Sequence, residues 1–247
     1  MEIFKQIDVL ISENIGFQKL NFSHLDYMKD YNTGIFYKET SDKIDALSYA
    51  FGYDYRNYDP IIMNQDSFAS WITFKNVEKI LDYCLYNQTN PKQFENSNEF
   101  YLNIKKTILN TEVLDIKENI FYSVFYKDKK LLIDNILKGT EQAQIFINEY
   151  HLSYFNRFST IQDVNDKILE KYDWMDWSDY FFKDAHFKAI IIMKLCNNNK
   201  KYDEFTAMYK LRIFDAIQDG SNDLIPFYEN LLKVMNYLDS GEYKNLL

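Results

Sequence analysis

Few side chains in this sequence are of types and at spacings that do chemistry. There are three histidines, His24, His151 and His186, and two cysteines, Cys84 and Cys196. None stands in an HExxH, CxxC or paired Cys/His arrangement, and no GxGxxG, GxxxxGK or Gly-x-Ser-x-Gly run occurs. Zinc, dinucleotide, P-loop and serine-hydrolase sites therefore lack their signatures. His186 follows Asp184 closely, and His151 follows Glu149 and Tyr150. An enzyme site would have to be assembled from distant residues such as His151, His186 and Asp184. Cys196 lies ten residues after His186, or about 15 Å along one helix, so these two do not pair with each other.

The most suggestive spacing is that of Asp173, Asp176 and Asp179, set every three residues beside Trp174 and Trp177. A metal needs convergent oxygens in fixed geometry, which this spacing does not supply. No metal or cofactor is expected. The pattern suits an acidic, aromatic contact surface, with Asp173, Asp176, Trp177 and Asp179 as partner-binding residues. Tryptophan supplies rigid contact area and the carboxylates supply charge complementarity. The structural alternative places the tryptophans in the core and the aspartates in water. Arg212 shares a helix face with Phe205, Met208, Tyr209 and Ala216, so it must snorkel or meet a carboxylate; a structural ion pair is the expectation.

The elements that position these residues follow from periodicity. Phe181–Cys196 is apolar on more than one helical face, with Phe182, Ala185, Ala189, Met193 and Cys196 on one side and Phe187 and Ile191 on the other. A helix of this kind has neighbours on several sides, and it is read as the central post of a helical C-terminal region. Around it the pattern predicts helices from Ser159 or Thr160 to about Tyr172, over Tyr202–Asp219, and from Ser221 or Asn222 onward with Pro226 in the first turn. Thr140 is expected to cap a long helix running to about Phe158, after Gly139 stops a helix over Lys129–Lys138.

Earlier in the chain, residues 1–13 read as an amphipathic helix closed by Gly16. Phe17–Phe22 and Gly34–Lys38 read as strands of a hairpin, Ser41–Phe51 as a helix, Tyr53–Pro60 as a loop and Ser70–Phe74 as a strand. Asn76 opens a helix to about Tyr86, whose core face is Val77, Ile80, Leu81 and Cys84. Asn87–Asn98 is loop, Phe100–Lys105 a strand, and Val113–Ile116 with Ile120–Tyr126 a hairpin. Strands first and helices later make an α+β protein, a mixed helix and antiparallel-sheet half followed by an all-helical half. The expected organisation is an α+β region over 1–139 and a helical region over 140–247, packed as one globular unit.

Composition narrows function further. Across 247 residues the net charge is −9, and Gly and Pro number only 6 and 3, which favours helix over tight turns. An acidic chain repels phosphate backbones, so broad nucleic-acid binding is not expected, whereas a basic protein partner suits it. The N-terminus lacks a basic n-region and an unbroken apolar core, so it does not read as a signal peptide, and no apolar run approaches a membrane span. The two cysteines sit in apolar helical patterns, as buried reduced thiols would. A cytoplasmic location follows.

The opening, an amphipathic helix followed by Gly16-Phe17 and a strand, is similar to some bacterial immunity-type α+β proteins. The likeness spans only these residues and transfers no site. Together with size, acidity and aromatic content, it leads to the functional expectation of a non-enzymatic protein-binding protein, in its specific form an immunity-type inhibitor that neutralises a basic bacterial toxin. The alternatives are the enzyme above and a scaffold using the C-terminal helical hairpins.

Overall fold

The computed structural model describes residues 2–20, 32–53, 60–62, 67–86, 105–111, 124–125 and 129–247. The expectations for His24, for the loops at 54–59 and 87–98, for the strand from Phe100, and for most of the hairpin over 113–126 lie outside these residues. The architecture is α+β, with an antiparallel sheet in the first half and helices in the second. Two compact units interleave in sequence: 1–72 with 109–157, and 73–108 with 158–247.

In the first unit, α1 (Glu2–Val9) continues as a π-helical turn over Leu10–Asn14. Ile7, Leu10 and Ile11 are buried as their spacing requires, and Gly16 at φ +81° ends the helix in the left-handed region. The sheet comprises β1 (Gln18–Lys19), β2 (Asn32–Glu39), β3 (Lys43–Tyr53), β4 (Pro60–Ile62), β5 (Phe68–Phe74), β6 (Ile108–Leu109) and β7 (Val124–Phe125). Its order is β1-β2-β3-β4-β7, with β5 pairing β3 and β6. The expected pairing of the Phe17 and Gly34 segments is present as β1 against β2, Gln18 opposite Tyr37. Gly34 is needed at its place because a Cβ there would come within 2.6 Å of the Tyr49 ring of the neighbouring strand.

Ser41–Phe51, expected as a helix, is a strand. The Thr40 N–H donates to the Lys43 carbonyl and the Lys43 N–H to Thr40 Oγ1, at 2.9 and 3.2 Å, so Ser41 and Asp42 form a tight turn rather than a cap. From there β3 runs antiparallel to β2, from Glu39 opposite Ile44 to Asn32 opposite Phe51. Ile44 and Ala46 are buried on one face, and Lys43, Asp45, Leu47 and Tyr49 on the other. A strand covered on both faces carries no alternating pattern, and Ile44, Leu47 and Phe51 then mimic a helical stripe.

The helix expected to stop at Gly139 does not stop. α3 (Lys129–Phe146) passes through a buried Gly139, continues as a π-helical segment over Ile147–Leu152, and ends with α4 (Ser153–Arg157). Thr140, expected as a cap, lies mid-helix and donates its hydroxyl to Gln6 Oε1 at 3.1 Å. Packing of α3 against α1 outweighs the local weakness of glycine, about 1 kcal/mol in a helix interior.

In the second unit, α2 (Lys75–Leu85) buries Val77, Ile80, Leu81 and Cys84. Thr160 caps α5 (Ile161–Val164) in a reciprocal box with Asp163, and a π-helical segment over Asn165–Leu169 follows. After the short α6 (Trp177–Tyr180), Lys183 and Asp184 both adopt positive φ and lead into α7 (Ala185–Leu195). α7 packs against α2, α8 (Asn199–Gln218) and α9 (Ile225–Ser240), and Ile190, Ile191, Ile192 and Met193 are wholly buried. It is the central post of its unit. No helix among the described residues is long and apolar enough to cross a membrane.

Candidate functional site

Each unit buries a polar cluster, and the second also presents an acidic turn. The largest cluster begins on α2, where Glu78 and Asp82 are one helical turn apart and flank the apolar face. Both are buried, with Lys105, Thr107 and Lys188. Lys188 Nζ lies 3.2 Å from Glu78 Oε1 and donates to the Lys106 and Phe182 carbonyls at 2.6 and 2.7 Å. Thr107 Oγ1 donates to Glu78 Oε1 at 2.7 Å while accepting from the Phe74 N–H at 2.9 Å. Lys105 pairs with Asp82 Oδ1, and its ammonium lies 5.3 Å from the centre of the Tyr86 ring. Among the described residues Asp82 Oδ2 has no hydrogen-bond partner, and burial raises the Asp82 pKa against the opposing pull of Lys105. Two carboxylates and two ammoniums leave this cluster neutral. Lys188 thus has three oxygen acceptors, one for each proton of an ammonium.

The other cluster, in the first unit, joins Ser70 on β5 to His151 on the π-helical segment. Ser70 Oγ is 2.8 Å from His151 Nδ1 and accepts from Asn110 Nδ2 at 3.1 Å, and Asn110 also donates to the Tyr150 carbonyl at 3.0 Å. A serine against a histidine resembles a nucleophile and its base. Here His151 is fully buried, its Nε2 without a hydrogen-bond partner among the described residues, and burial pushes its pKa down to about 3. The imidazole is held neutral and is wholly buried.

His186 and Asp184, the other members of the enzyme reading, have their own partners in the second unit. His186 Nδ1 is 3.0 Å from the Tyr209 hydroxyl, inside a ring cluster with Trp174, Trp177 and Phe205. Burial lowers its pKa, with the Trp174 carbonyl opposing. Asp184 instead accepts from the Tyr86 hydroxyl at 3.0 Å. Cys84 and Cys196 are free thiols, each pushed up by burial to about 11. Among the described residues no group of three or more His, Cys, Asp and Glu side chains converges as a metal site.

The Asp173–Asp179 stretch is a compact turn. Asp173 Oδ1 accepts from the Met175 N–H at 3.0 Å, and the Asp176 and Asp179 N–H groups donate to the Asp173 and Asp176 carbonyls at 3.0 and 3.1 Å. Tyr172 and Tyr180 stack across its base with ring centres 4.7 Å apart. Asp173, Asp176 and Asp179 are exposed. Trp177 is not; it packs on Phe205 at 4.9 Å with 1% of its surface exposed, so it is no exposed anchor in the free protein. Trp174 is half-buried, and Arg212 lies 5.1 Å above its ring. Arg212 thus meets a π-face where sequence reasoning expected a carboxylate.

The outward apolar side chain of the turn is Met175, 61% exposed. Sequence reasoning passed over it, because a methionine between aspartates gives no periodic signal. Glu78, Asp82, Lys105 and Lys188 were missed for a similar reason: nothing in their spacing separates them from charges at a solvated face. No family model, no curated protein and no solved structure matches this chain.

Proposed function

We propose that the chain is a non-enzymatic protein-binding protein that engages a basic partner through the turn from Tyr172 to Tyr180. The observation that carries this reading is Met175, largely exposed in a turn that also exposes Asp173, Asp176 and Asp179. Methionine adapts its shape to a partner's apolar pocket, and surrounding charge steers encounter. The tyrosine stack and the buried Trp177 hold the turn in shape beforehand, which lowers the ordering cost of association. An immunity-type inhibitor that neutralises a basic bacterial toxin, in the cytoplasm, is the specific form of the proposal. Net charge −9 suits it.

With a basic partner recovered from the native host, replacing Asp173, Asp176 and Asp179 together by Asn slows association and flattens its salt dependence, while Met175→Ala chiefly speeds dissociation. Unchanged kinetics in both variants remove this turn from the interface. The scaffold alternative is favoured by another observation: Met208, Leu211 and Phe214 on α8 are also exposed. Loss of binding in Leu211→Ser alone would favour that helix over the acidic turn.

A further inference from the structure

Beyond protein binding, the first unit holds a pocket of about 330 Å³ whose wall has an unusual composition for so acidic a chain. From α1 and its π-helical turn come Lys5, Gln6, Val9, Leu10 and Asn14; from α3 come Thr140 and Gln144. Among the described residues that line it there is no carboxylate. Lys5 is the one charged group among these described residues, and it takes part in none of the ion pairs formed among the described residues. Gln6, Asn14 and Gln144 bring three primary amides. The Thr140 hydroxyl donates to Gln6 Oε1 at 3.1 Å, which leaves the N–H donors of that amide for another acceptor. Val9 and Leu10 supply the apolar part of the lining, Leu10 buried and Val9 45% exposed.

Among the described lining residues, one cation, several amide donors and a short aliphatic floor suit a small carboxylate. We infer that this pocket binds a small carboxylate of the N-acylated amino-acid or peptide C-terminus type. The carboxylate pairs with Lys5, the adjoining amide exchanges hydrogen bonds with Gln6, Asn14 and Gln144, and an aliphatic side chain rests on Val9 and Leu10. Charge-assisted hydrogen bonds are the strong ones in such a site, so the carboxylate decides binding. The volume is at the small end of ligand sites, which limits the ligand to a fragment of this size.

The side-chain NH₂ resonances of Gln6, Asn14 and Gln144 report directly on the pocket. N-acetyl-L-leucine, titrated into the full chain labelled with nitrogen-15, is expected to shift them saturably, while N-acetyl-L-leucinamide, which lacks the carboxylate, leaves them nearly unmoved. Lys5→Gln, an exposed change that leaves the core intact, is expected to weaken binding about tenfold or more. Gln144→Ala weakens it less and leaves the acid-over-amide preference in place. Equal shifts with acid and amide, unchanged binding in Lys5→Gln, or no saturable shift at tens of millimolar would each overturn the assignment. The acidic turn of the second unit is untouched by these variants, so either proposal can fail without the other.

Discussion

Burial of polar groups in the unit built on α7 relies on charge. Glu78 and Asp82 are compensated there by Lys105 and Lys188, and the lysine on α7 has three oxygen acceptors. In the unit built on the sheet, a separate ion pair of Lys43 with Asp45 is buried at 2.9 Å, but the Ser70, Asn110 and His151 cluster is neutral, with the imidazole kept uncharged by burial. The difference lies in what each can tolerate losing. A charged network fails when one member is removed, because the remaining charge is stranded in a poorly solvating interior. A neutral cluster loses hydrogen bonds of modest net worth.

The largest expected effect breaks the charged side of this comparison. Lys188→Met strands Glu78 and is expected to cost about 3–5 kcal/mol in denaturant unfolding. Adding Glu78→Gln in the same chain should recover a substantial part of that loss. A double variant no better than the single would mean that the pair is not the unit of stability. Next comes the packing that surrounds the network: Met193→Ala, at a wholly buried position on the same helix, is expected to cost about 2–5 kcal/mol. On the neutral side, Ser70→Ala should cost only about 1–3 kcal/mol.

The two clusters also respond to pH with opposite signs. His151 has a folded-state pKa lowered from 6.5 to about 3, so the unfolded chain binds the extra proton first. Its contribution is complete above about pH 6.5 and is lost progressively as pH falls toward 3. Asp82 has a raised pKa, so its carboxyl favours the folded state at low pH and opposes it as pH rises from the usual value of 3.8 upward. Stability measured from pH 7 to pH 4 should therefore fall less steeply in His151→Gln than in the parent protein. Identical slopes would show that His151 is not held neutral. The smallest effect is chemical: both thiols, held near 11, should react slowly with a thiol reagent at neutral pH in the native protein and yield two equivalents after denaturation.

These contrasts also explain what was legible in the sequence. The apolar face of α2 was read correctly at Val77, Ile80, Leu81 and Cys84, since burial on one side leaves a helical period. The many-sided α7 was legible because its apolar residues exceed a single stripe. β3 was misread because it is buried on both faces and leaves no period of two. The end of the helix at Gly139 was misplaced because the contact of α3 with α1 is a tertiary fact that no local propensity carries. The acidic turn was visible as a spacing, yet which of its apolar side chains faces outward depended on Trp177 finding Phe205, a partner 28 positions on. The buried charges were illegible for the same reason: Glu78 looks solvated until Lys188 is placed beside it.

The central claim, that the acidic turn recognises a basic protein, is tested most directly by where a partner touches the chain. A photoreactive amino acid placed at Met175, and separately at Leu211, which is similarly exposed at 60%, is to be irradiated in the native host and any adduct sequenced. The account predicts a discrete adduct with a basic protein from position 175, none with that protein from position 211, and loss of the 175 adduct when Asp173, Asp176 and Asp179 are all changed to Asn. An adduct from 211 alone, an acidic partner at 175, or an adduct insensitive to the three substitutions would contradict it.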